Sequence, residues 1–317
     1  MKRFSVITGF LGSGKTTLLN RLLRDPDMAS TAVLINELGT VGVDHLIVDQ
    51  FDDDIVLLES GCICCDIRDD LSLSLLDLYG RCERGEIPPF DQALLETTGI
   101  ADPAAILQLL MADELIVARY EFGTVATVVD ACFGLDNLRT VDEALRQVQF
   151  ADRLIVSKAD LVDEPKLALV RQALEELNPT ADIIDSREAT PGRLFAGDVL
   201  HKPFAGPRNP GHSEHFNTFQ VRWDKAVDWA DIEIWIEGLL SARGEDIWRV
   251  KGLMQVSDSP RPLVFQSVQH SVYAPTHLAE WPDDTRQTDL TFITRGFSRE
   301  AALASLRPFV ELNACDR

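Results

Sequence analysis

The eight residues Gly9-Phe10-Leu11-Gly12-Ser13-Gly14-Lys15-Thr16 constrain this chain more than any other stretch. They satisfy G-x-x-x-x-G-K-[ST], and their neighbours suit the motif. Phe4, Val6 and Ile7 precede it as a short apolar run that predicts a strand, and Leu18, Leu19, Leu22 and Leu23 follow at helical spacing. A strand that turns through glycines into a helix aims backbone N–H groups and the positive helix end at bound phosphate. Glycine lets the backbone come close without a Cβ clash. Gly9, Gly12, Ser13 and Gly14 then form the cradle, Lys15 reaches the β- and γ-phosphates, and the Thr16 hydroxyl binds Mg²⁺.

Further strands are predicted at Thr31–Asn36, Ile55–Leu58, Ala93–Leu95, Val125–Val129 and Leu154–Val156. A helix starting near Asp66 places Leu71, Leu75 and Leu78 on one face. Strands alternate with helical stretches, and polar residues follow the C-terminal end of each strand. This pattern predicts an α/β domain with a mostly parallel sheet and its site along the strand ends. Residues 192–211 are rich in Pro and Gly without a clear period and read as a linker. Beyond it, strands at Phe216–Trp223, Ile247–Val256, Leu263–Val268 and Leu290–Thr294 and helices at Trp229–Leu240 and Ala301–Val310 predict a smaller α+β domain. The expected boundaries are 1–191, a linker over 192–213, and 214–317.

The 317 residues carry a formal net charge of -21, which argues against a nucleic-acid or anionic-membrane partner, because both favour a basic patch. The apolar stretch after Met1-Lys2-Arg3 is too short for a signal peptide, and no apolar run is long enough to span a bilayer. A cytoplasmic protein is the expectation.

A phosphate loop alone does not separate ATP from GTP. Ser157-Lys158-Ala159-Asp160 follows a late apolar strand and matches the guanine-reading [NT]KxD pattern except at its first residue. The Asp160 carboxylate would accept from guanine N1–H and the exocyclic amine, a donor pair that adenine lacks, while the Lys158 stem packs along the base. Ser157 replaces the usual Asn and puts the contact made there in question. Glu96 ends an apolar strand, where a carboxylate can hold Mg²⁺ directly or through water. Gly99 places a backbone N–H where it could meet the γ-phosphate. An alanine there is expected to leave GDP binding intact and to blunt hydrolysis.

Three of the six cysteines crowd into Cys62-Ile63-Cys64-Cys65. In an extended stretch Cys62 and Cys64 point the same way, and Cys65 joins them if the chain turns there. Thiolates suit Zn²⁺ and other borderline or soft metals. Glu37, in the loop Asn36–Asp44, is a candidate fourth ligand, with His45 a weaker one. A redox-sensing dithiol is the competing reading, since adjacent thiols oxidise readily. Cys82, Cys132 and Cys315 read as structural, and His212 and His215 as solvated loop histidines.

Taken together, these segments resemble the CobW-type family of P-loop GTPases, relatives of the HypB and UreG nickel-enzyme maturation proteins. The resemblance rests on Gly9 to Thr17, Asn36 to Asp44, Gly61 to Cys65, Glu96 to Gly99 and Ser157 to Asp160. In the second domain it rests on Arg249-Val250-Lys251-Gly252 and Trp281-Pro282 followed by Arg286. It implies a GTP-dependent metallochaperone or metal insertase. GTP and Mg²⁺ would bind at Gly9 to Thr17, and Zn²⁺ or Co²⁺ at Cys62, Cys64, Cys65 and, less surely, Glu37. Lys15, Glu37 and Glu96 would act in hydrolysis, with Glu37 or Asp44 orienting water. A client metalloprotein would dock on the C-terminal domain, and a homodimer is left open. The reading from another class is a thiol-based metal or redox sensor whose conformation follows the nucleotide.

Overall fold

The computed structural model describes residues 1–35, 57–59, 67–195, 216–282 and 286–310. Expectations that fall elsewhere lie outside the described residues. They include the loop with Glu37, Asp44 and His45, the cysteines Cys62, Cys64 and Cys65, and the histidines His212 and His215. The chain divides into two units, Met1–Glu175 with Ala181–Val199, and Glu176–Thr180 with Leu200–Arg317.

In the first unit the described strands are β1 (Lys2–Thr8), β2 (Thr31–Ile35), β3 (Leu57–Glu59), β4 (Gln92–Glu96), β5 (Tyr120–Asp130), β6 (Arg153–Ser157) and β7 (Asp182–Asp185). They form one sheet in the order β3-β2-β4-β1-β5-β6-β7, and every pairing is parallel. A parallel sheet is covered on both faces, so its strands must be apolar on both. The β1 sequence shows this. Phe4 and Val6 enter one cluster with Leu34, Leu95 and the helix α2 (Ile67–Glu83), whose Leu71, Leu75 and Leu78 are buried. Ile7 faces the other way, into a cluster with Val33, Val128, Ile155 and Leu18, Leu19 and Leu22 of α1 (Lys15–Leu22). The other described helices before the second sheet are α3 (Pro103–Ala112), α4 (Glu114–Val117), α5 (Gly134–Thr140), α6 (Asp142–Phe150), α7 (Glu164–Leu177) and α8 (Pro191–Phe195). Residues 191–195 open the Pro- and Gly-rich stretch and are helical, because Leu194 and Phe195 bury against the second cluster.

The sheet's connectivity fixes where a ligand belongs. The chain leaves β1 for β2, two positions to one side, and later returns to β5 on the other side. The C-terminal end of β1 is therefore flanked by the ends of β4 and β5, with Ile7 opposite Glu96 and Thr8 opposite Thr127. This reversal of strand order opens the crevice at which open α/β sheets bind ligands.

The second unit is an antiparallel sheet in the order β11-β10-β9-β13-β8, with β12 also on β10. Its strands are β8 (Phe216–Trp223), β9 (Ile247–Met254), β10 (Leu263–Val268), β11 (Ser271–Val272), β12 (Thr276–His277) and β13 (Thr288–Arg295). Helices α9 (Trp229–Arg243) and α10 (Arg299–Leu306) cover one face. Ile232, Trp235, Ile236 and Leu240 pack there with Leu303 and Leu306 over Val221, Val250, Phe265 and Phe292. The Trp235 indole N–H donates to Ser305 Oγ at 3.0 Å and pins the two helices together. Among the described residues, no helix is long and apolar enough to cross a membrane.

Candidate functional site

The cradle begins where β1 stops. Gly9 has φ +143°, and a Cβ there would run into the Val128 carbonyl of the neighbouring strand. Only glycine lets the chain leave the sheet at this angle. Gly14 is left-handed, with φ 95° and ψ 25°, and stands at the N-cap of α1 without offering a side-chain cap. The first N–H groups of α1 and its dipole thus face the loop, which is the arrangement that binds phosphate.

Lys15 is nearly buried, and its Nζ donates to Gly9 O at 2.9 Å and Phe10 O at 3.4 Å. Its ammonium is thereby folded over the mouth of the loop. The Thr16 hydroxyl donates to Glu96 Oε1 at 2.6 Å, joining α1 to the end of β4. Glu96 is buried, with 4% exposure. The next residue, Thr97, secures the β4 end to β1: its N–H donates to Ile7 O at 3.0 Å and its hydroxyl to Thr8 Oγ1 at 2.8 Å. Thr17 is exposed on α1.

The segment Ser157–Asp160, expected from its sequence to read guanine, reaches the same loop from the other side. Ser157 Oγ donates to Ser13 O at 2.6 Å. The serine that replaces the usual Asn therefore makes a direct tie between β6 and the phosphate loop. Lys158 is left-handed, with φ 55°. Its Nζ donates to Gly12 O at 2.8 Å and pairs with Asp130 Oδ2 at 2.6 Å. Asp160 is exposed on the 3-10 turn Ala159–Leu161 that follows. Lys15 thus brings an ammonium to the loop of a strongly acidic chain, while the Lys158 ammonium beside it is compensated by Asp130.

Gly99 corrects one expectation. A Cβ on it would meet Leu11 N at 2.7 Å and Leu11 Cγ at 2.7 Å. An alanine would press directly on the phosphate loop, which argues against GDP binding being spared. The structure also shows two residues that the motifs did not name. Asp130, at the end of β5, holds the Lys158 ammonium and accepts from Cys132 N–H at 2.6 Å. The rule that strand ends carry the site would have found it. Gln147, inside α6, donates to Gly99 O and Ala101 O. Its only signal was a polar residue among the apolar positions of an amphipathic helix.

Lys15, Thr16, Glu96, Gly99, Ser157 and Lys158 are thus gathered at one edge of the sheet, at the ends of β1, β4 and β6. The metal-ligand set Cys62, Cys64, Cys65 and Glu37 lies outside the described residues. Among the described residues, no group of three or more His, Cys, Asp or Glu side chains is arranged to hold a metal ion.

Residues 3–185 match the CobW/HypB/UreG nucleotide-binding domain, and residues 216–310 match the cobalamin synthesis protein CobW C-terminal domain. The chain is 30% identical over 315 residues to the zinc chaperone YjiA of Escherichia coli, covering 96% of this chain and 98% of that one. It is 28% identical over 307 residues to the zinc chaperone CobW of a Sinorhizobium species, covering 83% and 84%. The crystal structure of Zn(II)-bound YjiA GTPase from E. coli superposes with a TM-score of 0.72 at 26% identity, covering 98% of this chain and 99% of that one. With both family domains matched in order over most of its length, the chain belongs to the CobW/HypB/UreG family.

Proposed function

We propose that this protein is a slow GTPase that couples GTP hydrolysis to the delivery of a divalent metal, zinc first and cobalt second, to a client metalloprotein. The observation that carries the reading is the Thr16–Glu96 contact beside the Lys15 ammonium, at the mouth of a loop that Ser157 and Lys158 tie to the guanine-reading segment. The hydroxyl and carboxylate are hard oxygen donors on separate rigid elements, which suits Mg²⁺. Bound there, Mg²⁺ would neutralise charge on the β- and γ-phosphates. Lys15 would hold the same oxygens, the Gly99 N–H would meet the γ-phosphate, and Asp160 would select guanine. The names of the relatives support zinc as the cargo.

In this reading Cys62, Cys64 and Cys65 hold the cargo metal, with Glu37 as the fourth ligand. In sequence Glu37 follows β2 and the cysteines follow β3, two neighbouring strands. Closure of the loop after β2 and of the Glu96–Gly99 segment on the γ-phosphate would set the metal geometry, and hydrolysis would release it. The C-terminal domain would choose the client. No arginine finger is evident in the sequence, so turnover should be slow until a client binds.

The test is multiple-turnover phosphate release from GTP and from ATP, with and without Zn²⁺, in the wild type and in Lys15→Ala. The expected result is slow release from GTP, none above background from ATP, and loss in Lys15→Ala. Absence of GTP turnover with and without Zn²⁺ would instead favour the sensor reading.

A further inference from the structure

We propose that Arg146 and Gln147, adjacent on α6, form a two-point latch that positions the Gly99 segment against the phosphate loop and so sets the rate of the chemical step. The inference rests on the GTPase reading above and adds two positioning residues to it.

Gln147 is fully buried, with 0% exposure. Its Nε2 donates to Gly99 O at 3.2 Å and to Ala101 O at 3.0 Å. Two carbonyls at one atom identify that atom as the amide nitrogen, the only end with two donors. The Gly99–Ile100 and Ala101–Asp102 peptide units are therefore held by one side chain. One residue further along, Asp102 receives Arg146 Nη1 on Oδ2 at 2.6 Å, while its other oxygen caps α3 through Ala104 N at 2.9 Å. Residues 99–102 are thus clamped at three points by two neighbours on one helix.

The clamp has a fixed base and a defined target. The Gln147 carbonyl accepts from the Thr127 hydroxyl of β5 at 2.7 Å, which anchors this turn of α6 to the sheet. On its opposite side the segment meets the phosphate loop, because the Cα of Gly99 packs against Leu11. Ser13 and Gln147 both line a cavity of about 20 Å³, and neither Ser13 Oγ nor the Gln147 amide oxygen has a hydrogen-bond partner among the described residues. That volume admits one water. A backbone N–H contributes to catalysis only when held where charge develops. Gly99 has no side chain to hold it, and the latch supplies that restraint from outside the segment.

The latch acts on Gly99, Ala101 and Asp102, which lie outside the Gly9–Thr16 loop and the Ser157–Asp160 segment. GDP affinity should therefore survive its removal, while steps that need the γ-phosphate contact should not. The experiment uses the full chain in three variants: Gln147→Leu, Gln147→Glu and Arg146→Met. The first two keep the side-chain size and remove the paired donors. Arg146 is one-third exposed, so its variant leaves the core intact. GDP affinity, affinity for a non-hydrolysable GTP analogue, kcat and KM are measured on each.

The expected result for the Gln147 variants is GDP affinity within about threefold of wild type and kcat down about tenfold or more, a change of roughly 1.4 kcal/mol in the barrier. The preference for the analogue over GDP should fall with it. Arg146→Met should shift both quantities in the same direction by less. An unchanged kcat and analogue preference in folded Gln147 variants overturns the latch. If neither Gln147 variant folds, the same outcome in Arg146→Met overturns it. A wild-type protein that turns over no GTP is a different result and removes the GTPase reading itself.

Discussion

Gly9 and Gly12 stand three residues apart in one loop and are glycine for different reasons. At Gly9 a Cβ would strike the Val128 carbonyl, whereas at Gly12 it would meet nothing within 4 Å and only the left-handed φ of +71° favours glycine. Gly12→Ala should therefore cost about 1–2 kcal/mol in thermal or urea unfolding. Gly9→Ala should cost about 3 kcal/mol or more, because it combines an unfavourable φ with an overpacked site. Equal losses in the two variants would show that the Val128 contact is not what fixes Gly9. The sequence motif marks both glycines alike, and it takes the third dimension to separate them. Ser157 shows the same limit from the other direction. Sequence reading marks it as a departure from the guanine motif, and the structure shows its hydroxyl reaching Ser13 O at 2.6 Å. A side chain's reach across the sheet is not encoded in its own segment.

Among the elements, the buried strands were the most legible. Phe4, Val6 and Ile7, or Leu154 to Val156, are runs that only a sheet covered on both faces can bury, and both became central strands. Glu96, at the end of β4, followed from the same logic, which would also have pointed to Asp130 at the end of β5. Gln147 was hidden because its role depends on a helix packing against a loop 48 residues away. The short β7 was not read either. It ends at Asp185, which shows how an element end titrates. The Arg187 guanidinium bonds the Asp185 carboxylate, and the Arg187 N–H caps against it at 2.9 Å, so its pKa is held below the ordinary carboxylate value. A depressed folded-state pKa gives stability that is fully present above the unfolded pKa, about 4, and is lost as pH falls through the folded value. Asp185→Ala should cost about 1 kcal/mol at pH 7, the worth of a typical cap. That penalty should shrink as unfolding is measured at pH below about 4, where the wild type loses the same interaction. A penalty that is constant with pH would place it in packing instead.

At the scale of the whole molecule, each unit has a hydrophobic core of its own. Gly252 in β9 separates their contributions. A Cβ there would collide with the Asp289 carbonyl of β13, the neighbouring strand. Gly252→Ala should therefore disrupt the C-terminal sheet by about 3 kcal/mol or more while leaving GDP affinity unchanged within about twofold. Nucleotide affinity that falls in step with that sheet would mean the two units are energetically one. The sequence made both units legible as fold classes, a parallel α/β pattern before a Pro- and Gly-rich stretch and an α+β pattern after it, while the antiparallel pairing of the second sheet came from the structure. It left the coupling between nucleotide and metal to inference, because Glu37 and the three cysteines fall in stretches whose sequence shows no strand or helix period.

That coupling is the central claim, and linkage makes it measurable from either ligand. The direct measurement is Zn²⁺ affinity by chelator competition under reducing conditions, first with GDP and then with a non-hydrolysable GTP analogue. The account predicts tighter zinc binding with the analogue by about tenfold, roughly 1.4 kcal/mol of coupling. Zinc affinity that is the same with both nucleotides would contradict a delivery cycle driven by GTP.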